Sequence, residues 1–209
     1  MAKKKIAFFG GAFDPPHLGH SQVAKSLLEQ KAVQEVWFVP VFTHPWAKKL
    51  HKEFLTKYDM RVSMLETVVA DLNESFAQTQ DLSCVRVAHF RDVSFTYDTL
   101  MFFSKEFPEY EFSWVMGSEY LPKFDAFLEM HPRLMDFPFF IYPRKGFGFE
   151  QLYPNMMPLK NMPEIEISST MVRKAVRTHE TIHSLVIDQV KEKIEKWNLY
   201  TASKKPKNN

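Results

Sequence analysis

The chain has 209 residues, of which 45% are hydrophobic and 25% charged, and this composition suits one globular domain with a sizeable core. Its formal net charge of +2 is too small to indicate nucleic-acid binding through bulk electrostatics, and its single cysteine excludes an intrachain disulfide. Because no apolar stretch approaches the roughly 18 residues of a membrane-spanning helix, the sequence predicts a cytoplasmic protein without nucleic-acid or membrane partners.

Strand patterns alternate with helix patterns along the chain, which favours an α/β fold. Short apolar runs predict strands at residues 6–9, 35–40, 84–88, 111–117, 137–142 and 165–167. Helical spacing predicts helices at residues 18–31, after an N-cap at Thr56, from 96 to before Pro108, within 118–130, and at 168–177 and 182–197. Residues 146–158 show no period and are predicted to form a loop.

This alternation predicts a Rossmann-like, doubly wound parallel sheet in a single domain with C-terminal helices. We expect the domain to cover residues 1–200 and the basic tail, 201–209, to be disordered. Ligands of such sheets bind beyond the carboxyl ends of the strands. The loops after the first two strands, Gly117 and Ser168 all follow predicted strands, so we expect them to form one site.

A glycine-rich turn with two histidines joins the first strand to the first helix, and residues 10–20 read Gly-Gly-Ala-Phe-Asp-Pro-Pro-His-Leu-Gly-His. The paired glycines permit a sharp turn and the close approach of a ligand. His17 and His20 share one face of the helix start, whose free N–H groups favour an anion. The turn therefore predicts a polyphosphate site, although it matches neither common phosphate-loop motif. Zinc is the alternative, with Asp14 as the only nearby carboxylate.

A second helix start carries hydroxyl groups and an arginine. Residues 167–173 read Ile-Ser-Ser-Thr-Met-Val-Arg, and Ser168 is the predicted N-cap. Hydroxyls and first-turn N–H groups hold anionic oxygens, and Arg173 adds a planar fork of donors suited to phosphate. A plain capped helix with a solvent-exposed arginine is the alternative interpretation.

Together the two motifs resemble those of the nucleotidyltransferase family, in which they read Gly-Gly-x-Phe-Asp-Pro-x-His-x-Gly-His and Ile-Ser-Ser-Thr-x-Ile/Val-Arg. Within that family, residues 58–65, 94–100, 142–144 and 198–200 are most similar to the bacterial nicotinate mononucleotide adenylyltransferases. The resemblance covers nearly the whole chain. It implies an enzyme of NAD biosynthesis that joins ATP, carried with Mg²⁺, to nicotinate mononucleotide and releases deamido-NAD and pyrophosphate.

The resemblance also implies roles for individual residues. The catalytic residues would be His17, His20 and Arg173. The residues that bind ATP and its phosphates would be Gly10, Gly11, Phe13, Gly19, Lys48, Ser168, Ser169 and Thr170. The residues that bind the acceptor would be Thr96, Tyr97, Gly117, Glu119 and Phe127. No metal site on the protein is implied, and a homodimer is left open.

The departures from the family pattern concern mainly the acceptor. Residues 117–119 read Gly-Ser-Glu where Gly-x-Asp is usual, and Phe127 stands where a tryptophan stacks on the pyridine ring. The long loop after the second strand reads His-Pro-Trp-Ala-Lys at residues 44–48, where Pro-Pro-His-Lys is usual. Phenylalanine offers a smaller stacking face. We therefore expect adenylyl transfer to be kept and the choice of acceptor to be the open question.

Three other functions stay open at this point. The same transfer could use another acceptor, such as nicotinamide mononucleotide or phosphopantetheine, or CTP as the donor. A nucleotide-binding regulatory module without turnover is the second. A relic of the class I aminoacyl-tRNA synthetases is the third, but residues 168–170 are Ser-Ser-Thr rather than a lysine-rich loop, and the sequence suggests no tRNA-binding domain.

Overall fold

A single parallel sheet forms the centre of the molecule. The computed structural model describes residues 3–43, 56–78, 83–91 and 95–201. Within these ranges the strands are β1 Lys4–Gly11, β2 Glu35–Pro40, β3 Cys84–Val87, β4 Tyr110–Gly117, β5 Phe139–Tyr142 and β6 Met156–Pro158. They lie in the order β3-β2-β1-β4-β5-β6, and every pairing is parallel. This is the doubly wound order, so the predicted Rossmann-like architecture is confirmed.

Helices cover both faces of the sheet. They are α1 Leu18–Glu29, α2 Tyr58–Ala77, α3 Thr96–Glu106, α4 Phe124–Met130, α5 Ser169–Arg177 and α6 Asp188–Lys196. Two 3₁₀ segments, Ser118–Lys123 and Pro132–Asp136, flank α4. Across the described ranges, no helix is both long and apolar enough to cross a membrane.

Alternating side chains of β1 divide the core into two layers. Ala7 and Phe9 belong to the layer that also contains residues of α1, α2, α5 and α6. Ile6 and Phe8 belong to the opposite layer, with residues of α3 and α4. Successive side chains of a strand face opposite ways, and a parallel sheet is covered on both faces. The central strand is therefore buried on both sides, so a ligand can reach the sheet only at the ends of the strands.

The sheet reverses its winding between β1 and β4, which are hydrogen-bonded neighbours in the middle of the order. The chain leaves β1 toward β2 on one side and leaves β4 toward β5 on the other. The loops at the two carboxyl ends therefore separate and leave a crevice, which is where ligands of doubly wound sheets bind.

Three sequence predictions about elements are wrong, each for a local reason. Residues 146–158 are not all loop, because β6 forms at their end. A strand of three residues is too short to show a period, and Pro158 is tolerated because β6 is an edge strand. Residues 165–167 form no strand: Ile165 makes one isolated bridge with Arg144. The last helix begins at Asp188, since Ile182 and Val186 pack into the core from a turn whose Leu185 carbonyl accepts the Leu18 N–H.

The predicted N-cap at Thr56 is also wrong. Lys57 is the N-cap of α2, and it caps without a side-chain hydrogen bond. The Thr56 hydroxyl instead donates to the phenolic oxygen of Tyr200 at 3.0 Å. The Thr56 hydroxyl, which could have capped the helix, therefore makes a tertiary contact that no local sequence pattern predicts. The predicted disordered tail and Lys48 lie outside the described residues, apart from Thr201.

Candidate active site

A cavity of about 800 Å³ opens at the carboxyl edge of the sheet between β1 and β4. One end of it, here called the phosphate end, is lined by residues 10–14, His20, Ser169, Thr170 and Arg173. The other, called the acceptor end, is lined by aromatic residues of α3, α4 and the segments around them, including Phe95, Tyr97, Tyr120, Phe127 and His131. The two motifs therefore meet at one end of a single cavity, as the sequence predicts.

The paired glycines at the end of β1 are required by close packing. A Cβ atom on Gly10 would lie 2.2 Å from Cζ2 of Trp114, so only glycine allows the indole to lie against β1. A Cβ on Gly11 would lie 3.1 Å from the Phe13 ring. Phe13 itself adopts a left-handed backbone with φ of +48°, which is uncommon for a residue with a side chain. The backbone here is bent so that it borders the cavity.

His17 and His20 form one stacked pair at the start of α1. Their ring centroids are 3.6 Å apart and the planes are inclined by 28°. The backbone N–H of His17 donates to Nδ1 of His20 at 3.0 Å. Nδ1 therefore carries a lone pair, and the neutral ring has its proton on Nε2. His20 lines the cavity, whereas His17 supports it from behind and is only 7% exposed.

Both imidazoles are uncharged at neutral pH. Burial, with the positive charge of Arg144, lowers the pKa of His17 to about 3. Burial and the neighbouring His17 and Arg144 lower the pKa of His20 well below its ordinary value, although the hydrogen bond from the His17 backbone opposes this. In the free protein the pair therefore offers hydrogen-bond donors rather than a positive charge.

The N-terminus of α5 is tied directly to the loop after β1. Ser168 caps the helix by accepting the Met171 N–H at 3.3 Å, which confirms the predicted cap. The Ser169 hydroxyl donates to the Pro15 carbonyl at 2.8 Å. Nη1 of Arg173 donates to the Asp14 carbonyl at 2.7 Å, and Nη2 donates to the Thr170 hydroxyl at 3.0 Å. These bonds fix the two motifs against each other.

Besides His17, two of the sequence-predicted residues lie outside the cavity lining. Gly19 is buried in α1, and a Cβ there would lie 2.8 Å from Cγ2 of Ile165, so this glycine lets α1 pack closely against the segment before α5. Ser168 is the helix cap behind Ser169. Neither belongs to the lining, so each acts on the phosphate end through its neighbours.

The acceptor end is walled by rings. His131 stacks on Tyr97 with centroids 5.4 Å apart and planes inclined by 21°, and it meets Phe95 edge-on at 5.4 Å. The ring centroids of Phe127 and Tyr120 lie 6.3 Å apart. Thr96, Tyr97, Gly117, Glu119 and Phe127, the five residues predicted for the acceptor, all line this cavity.

Glu119 folds back over the end of β4. A Cβ on Gly117 would lie 1.9 Å from Oε2 of Glu119, so Gly117 makes room for the carboxylate. Oε1 lies 3.6 Å from Nε of Arg144, and among the described residues the buried Oε2 has no hydrogen-bond partner. Burial raises the pKa of Glu119, while a backbone hydrogen bond and the charge of Arg144 oppose that rise. A hydroxyl donor from a ligand would satisfy this oxygen.

The structure brings to the site several residues whose role there the sequence does not indicate. Trp114, His131 and Phe124 line the cavity, and Arg61 and Tyr200 bind the loops that form it. Arg61 and Tyr200 fall in the stretches 58–65 and 198–200, which the sequence analysis used only as family signatures. An arginine within an apolar helical stretch is the one signal that could have indicated a buried structural role.

Within the described ranges, no three His, Cys, Asp or Glu side chains come together in an arrangement that could hold a metal ion. The two histidines stack on each other, and the hydrogen bonds around them come from the protein backbone.

Comparison with known proteins agrees with this geometry. The chain matches the cytidylyltransferase-like family over residues 8–175. It is 33% identical over 202 residues to the nicotinate-nucleotide adenylyltransferase of Bacillus subtilis, covering 95% of this chain and 100% of that protein. It is 32% identical over 204 residues to a probable nicotinate-nucleotide adenylyltransferase of Oceanobacillus iheyensis, covering 94% of this chain and 97% of that protein.

Solved structures show the same fold. The Plasmodium falciparum nicotinic acid mononucleotide adenylyltransferase complexed with NaAD superposes with a TM-score of 0.75 at 22% identity, covering 94% of this chain and 97% of that one. A putative nicotinate-nucleotide adenylyltransferase from Vibrio parahaemolyticus superposes with a TM-score of 0.66, also at 22% identity, covering 94% and 95%. With both motifs, the sheet order and the family match in agreement, this chain belongs to the cytidylyltransferase-like family of nucleotidyltransferases.

Proposed function

We propose that this protein is an adenylyltransferase of NAD biosynthesis, which joins ATP and nicotinate mononucleotide to give deamido-NAD and pyrophosphate. One observation carries the proposal: the N-termini of α1 and α5 meet at one end of the cavity and are bonded to each other through Arg173 and Asp14. Two helix N-termini form an anion site. The relatives named for this activity cover almost the full length of the chain, which supports the choice of reaction.

The reaction needs positioning more than proton transfer. The phosphate of the acceptor is already ionised and attacks the α-phosphorus of ATP. A new P–O bond forms, the bond from the α-phosphorus to the bridging oxygen breaks, and pyrophosphate leaves with Mg²⁺ that arrived with ATP as substrate. No general base is required, so orientation and electrostatic stabilisation can supply the rate.

The neutral histidines would act as donors to the phosphates. His20 borders the cavity, and its remaining donor is Nε2–H, because the backbone N–H of His17 fixes the tautomer. As negative charge collects on the nucleotide phosphates, it favours protonation of the imidazoles, so their donors strengthen as ATP binds. We assign His20 to the reacting phosphates and His17 to holding His20 and completing the same site.

Arg173 and the start of α5 would hold the β- and γ-phosphates. Arg173 spends one N–H on the Asp14 carbonyl and one on Thr170, which leaves three of its five donors for phosphate. The Ser169 hydroxyl is donated to Pro15, so Ser169 contributes its backbone N–H. The Ser168 hydroxyl accepts a bond and keeps its own hydrogen. Lys48 stays a prediction for the loop after β2.

The acceptor would occupy the aromatic end. Phe127 offers a ring for the pyridine, although stacking depends on a face smaller than that of tryptophan. The unpartnered Oε2 of Glu119 suits a hydroxyl of the acceptor ribose. A cytoplasmic location and a homodimer stay predictions; the single cysteine, Cys84, fits a reducing compartment.

Pyrophosphate release with ATP and Mg²⁺ tests the proposal. Nicotinate mononucleotide, nicotinamide mononucleotide and phosphopantetheine would be compared at equal concentration, with CTP replacing ATP in a parallel series. We expect release with ATP and nicotinate mononucleotide to exceed every other pair. Faster release with another acceptor or with CTP would replace the substrate assignment, and nucleotide binding without release from any pair would favour a regulatory module.

A further inference from the structure

Tyr200, one residue before the end of the described chain, contacts the first motif. The hydroxyl of Tyr200 donates to Oδ1 of Asp14 at 2.6 Å and accepts the Thr56 hydroxyl at 3.0 Å. The residue has a left-handed backbone, with φ of +61°. Its ring packs against the core layer that contains α1 and α2. A strained backbone persists only where surrounding contacts determine it, and here those contacts place the hydroxyl on Asp14.

Asp14 is therefore held from two directions. Its carboxylate accepts from Tyr200, and its carbonyl accepts from Arg173 at 2.7 Å. The preceding residue, Phe13, is in the left-handed region that residues with side chains rarely occupy. The backbone of residues 13 and 14 thus costs energy to hold in place, and the two bonds on Asp14 compensate for that cost.

Arg61 holds the same loop from below. Arg61 is 1% exposed, and its guanidinium donates to three carbonyls, of Ala12 at 2.5 Å, Val41 at 2.7 Å and Thr56 at 3.2 Å. These carbonyls belong to the loop after β1, the segment after β2 and the residue that binds Tyr200. Arg61 and Tyr200 therefore support nearby residues of one loop, and Tyr200 does so at Asp14, the residue that also binds Arg173.

We infer that Tyr200 is a positioning residue for the nucleotide phosphates: its hydroxyl fixes Asp14, whose carbonyl fixes the guanidinium of Arg173. This inference rests on the proposed function, because its kinetic test measures the KM for ATP in adenylyl transfer. Tyr200 is not among the described residues that line the cavity, so its effect on the phosphates passes through Asp14 and Arg173. Among the described residues, Tyr200, Asp14 and Arg173 bond to one another at the phosphate end, so we expect the effect to fall mainly on the nucleotide.

The hydroxyl stays a donor throughout the working pH range. Burial, together with the charge of Asp14 and its hydrogen bond, raises the pKa of Tyr200 above its ordinary value. The bond to Asp14 is charge-assisted, which makes it stronger than a bond between neutral groups.

The test removes only the hydroxyl, in Tyr200→Phe. We expect the KM for ATP to rise about tenfold, the size of a lost hydrogen bond to a charged group, while the KM for the acceptor changes less than twofold. Two matched controls lose a comparable group: Thr56→Val removes the other partner of the same hydroxyl, and Tyr110→Phe removes a tyrosine hydroxyl at the amino end of β4. Both controls should keep the KM for ATP within about twofold of the parent protein.

A double-mutant cycle with Arg173→Lys separates positioning from general stability. If Tyr200 acts through Arg173, the two changes in kcat/KM for ATP are not additive, whereas Tyr110→Phe and Arg173→Lys are additive. An unchanged KM for ATP in Tyr200→Phe would overturn the inference. Equal rises in both KM values with a lower Tm, or the same rise in Thr56→Val, would also overturn it, since packing rather than the Asp14 bond would then be responsible.

Direct binding of a non-hydrolysable ATP analogue keeps this inference separate from the proposed function. The Kd of Tyr200→Phe should rise by the same factor as the KM for ATP. A parent protein that binds the analogue but releases no pyrophosphate would refute the proposed function alone. A parent protein that turns over normally, with an unchanged Kd in Tyr200→Phe, would refute the inference alone.

Discussion

The two ends of the cavity are built by different means. At the phosphate end, backbone carbonyls and polar side chains from residues 12–17 and from α5 are joined by hydrogen bonds of 2.7 to 3.0 Å. At the acceptor end the walls are rings at centroid distances of 5.4 to 6.3 Å, such as Tyr97 with His131 and Tyr120 with Phe127. Directional bonds define one end, and shape defines the other.

This difference separates the residues that carry out adenylyl transfer from those that select the acceptor. Hydrogen bonds depend steeply on angle and distance, so the phosphate end tolerates little change. Aromatic packing accommodates rings of different size at a modest energetic cost. We therefore expect substitutions at the phosphate end to abolish turnover and those at the acceptor end to alter preference, and the following experiments test that division from the largest effect to the smallest.

His20→Ala should give the largest loss. Removing one preorganised donor to a developing oxyanion costs about 100- to 1,000-fold in kcat, and His20 is the imidazole that lines the cavity. Steady-state pyrophosphate release measures the change. His183→Ala, at an exposed histidine paired with Asp188, is the control and should keep full turnover. Near-normal kcat in His20→Ala would remove the assigned role.

Gly10→Ala should destabilise the fold and distort the junction between the two ends. The added Cβ would lie 2.2 Å from the Trp114 ring, and overpacking of this kind costs about 1–3 kcal/mol. Urea unfolding measures the free energy. Gly148→Ala is the matched control, because the atoms nearest to its Cβ would be those of the carboxylate of exposed Glu150, which can move aside. Equal stability of the two variants would contradict the close contact.

The stability of the phosphate end should depend on pH. An unfolded histidine has a pKa of about 6.5, whereas folding lowers the pKa of His17 to about 3. Between these values the unfolded chain binds more protons, so the free energy of unfolding falls as the pH drops below about 6.5. The loss is about 1.4 kcal/mol per pH unit for this residue, or about 2 kcal/mol from pH 7 to 5.

His17→Gln isolates this contribution. Denaturation of the parent and the variant at pH 7 and pH 5 should show a smaller loss in the variant, while an exposed-histidine control, His183→Gln, should follow the parent. Parallel pH dependence in all three proteins would show that folding does not lower the pKa of His17.

Phe127→Ala should have the smallest effect and should act on one substrate. Loss of a stacking ring raises the KM for the acceptor about five- to tenfold, while the KM for ATP stays constant. Phe102→Ala, at a 46% exposed phenylalanine of α3, is the control for loss of an aromatic side chain. A change of similar size in the KM for ATP would break the division between the two ends.

The phosphate end was largely predictable from the sequence because its parts are local. The glycines, histidines and helix starts of residues 10–20 and 167–173 follow one another in short runs with fixed spacing, and a parallel sheet necessarily gathers them at one edge. The parallel sheet follows from the same alternation of strands and helices, whereas the strand order is seen only in the structure. Helix existence was predicted correctly, and the errors at Thr56 and residues 182–187 come from tertiary contacts that override local preference.

The bonds that hold the site in place were not predictable in this way. Arg61 reaches back 49 residues to Ala12, and Tyr200 reaches back 186 residues to Asp14. Hydrogen-bonded residues so far apart in the sequence produce no periodic pattern from which the pairing could be predicted. His131 and Trp114 were missed for a similar reason, since an aromatic residue beside the cavity has the same local pattern as one in the core.

The contacts between residues 14–15 and residues 169–200 also bear on how the protein is made. Synthesis proceeds from the amino end, so the first motif emerges long before Ser169, Arg173 and Tyr200 exist. A nascent chain cannot close its nucleotide site until the final helices have been translated. Products that end before Arg173 would therefore lack one half of the phosphate end, so the site is complete only after the chain has been translated through Tyr200.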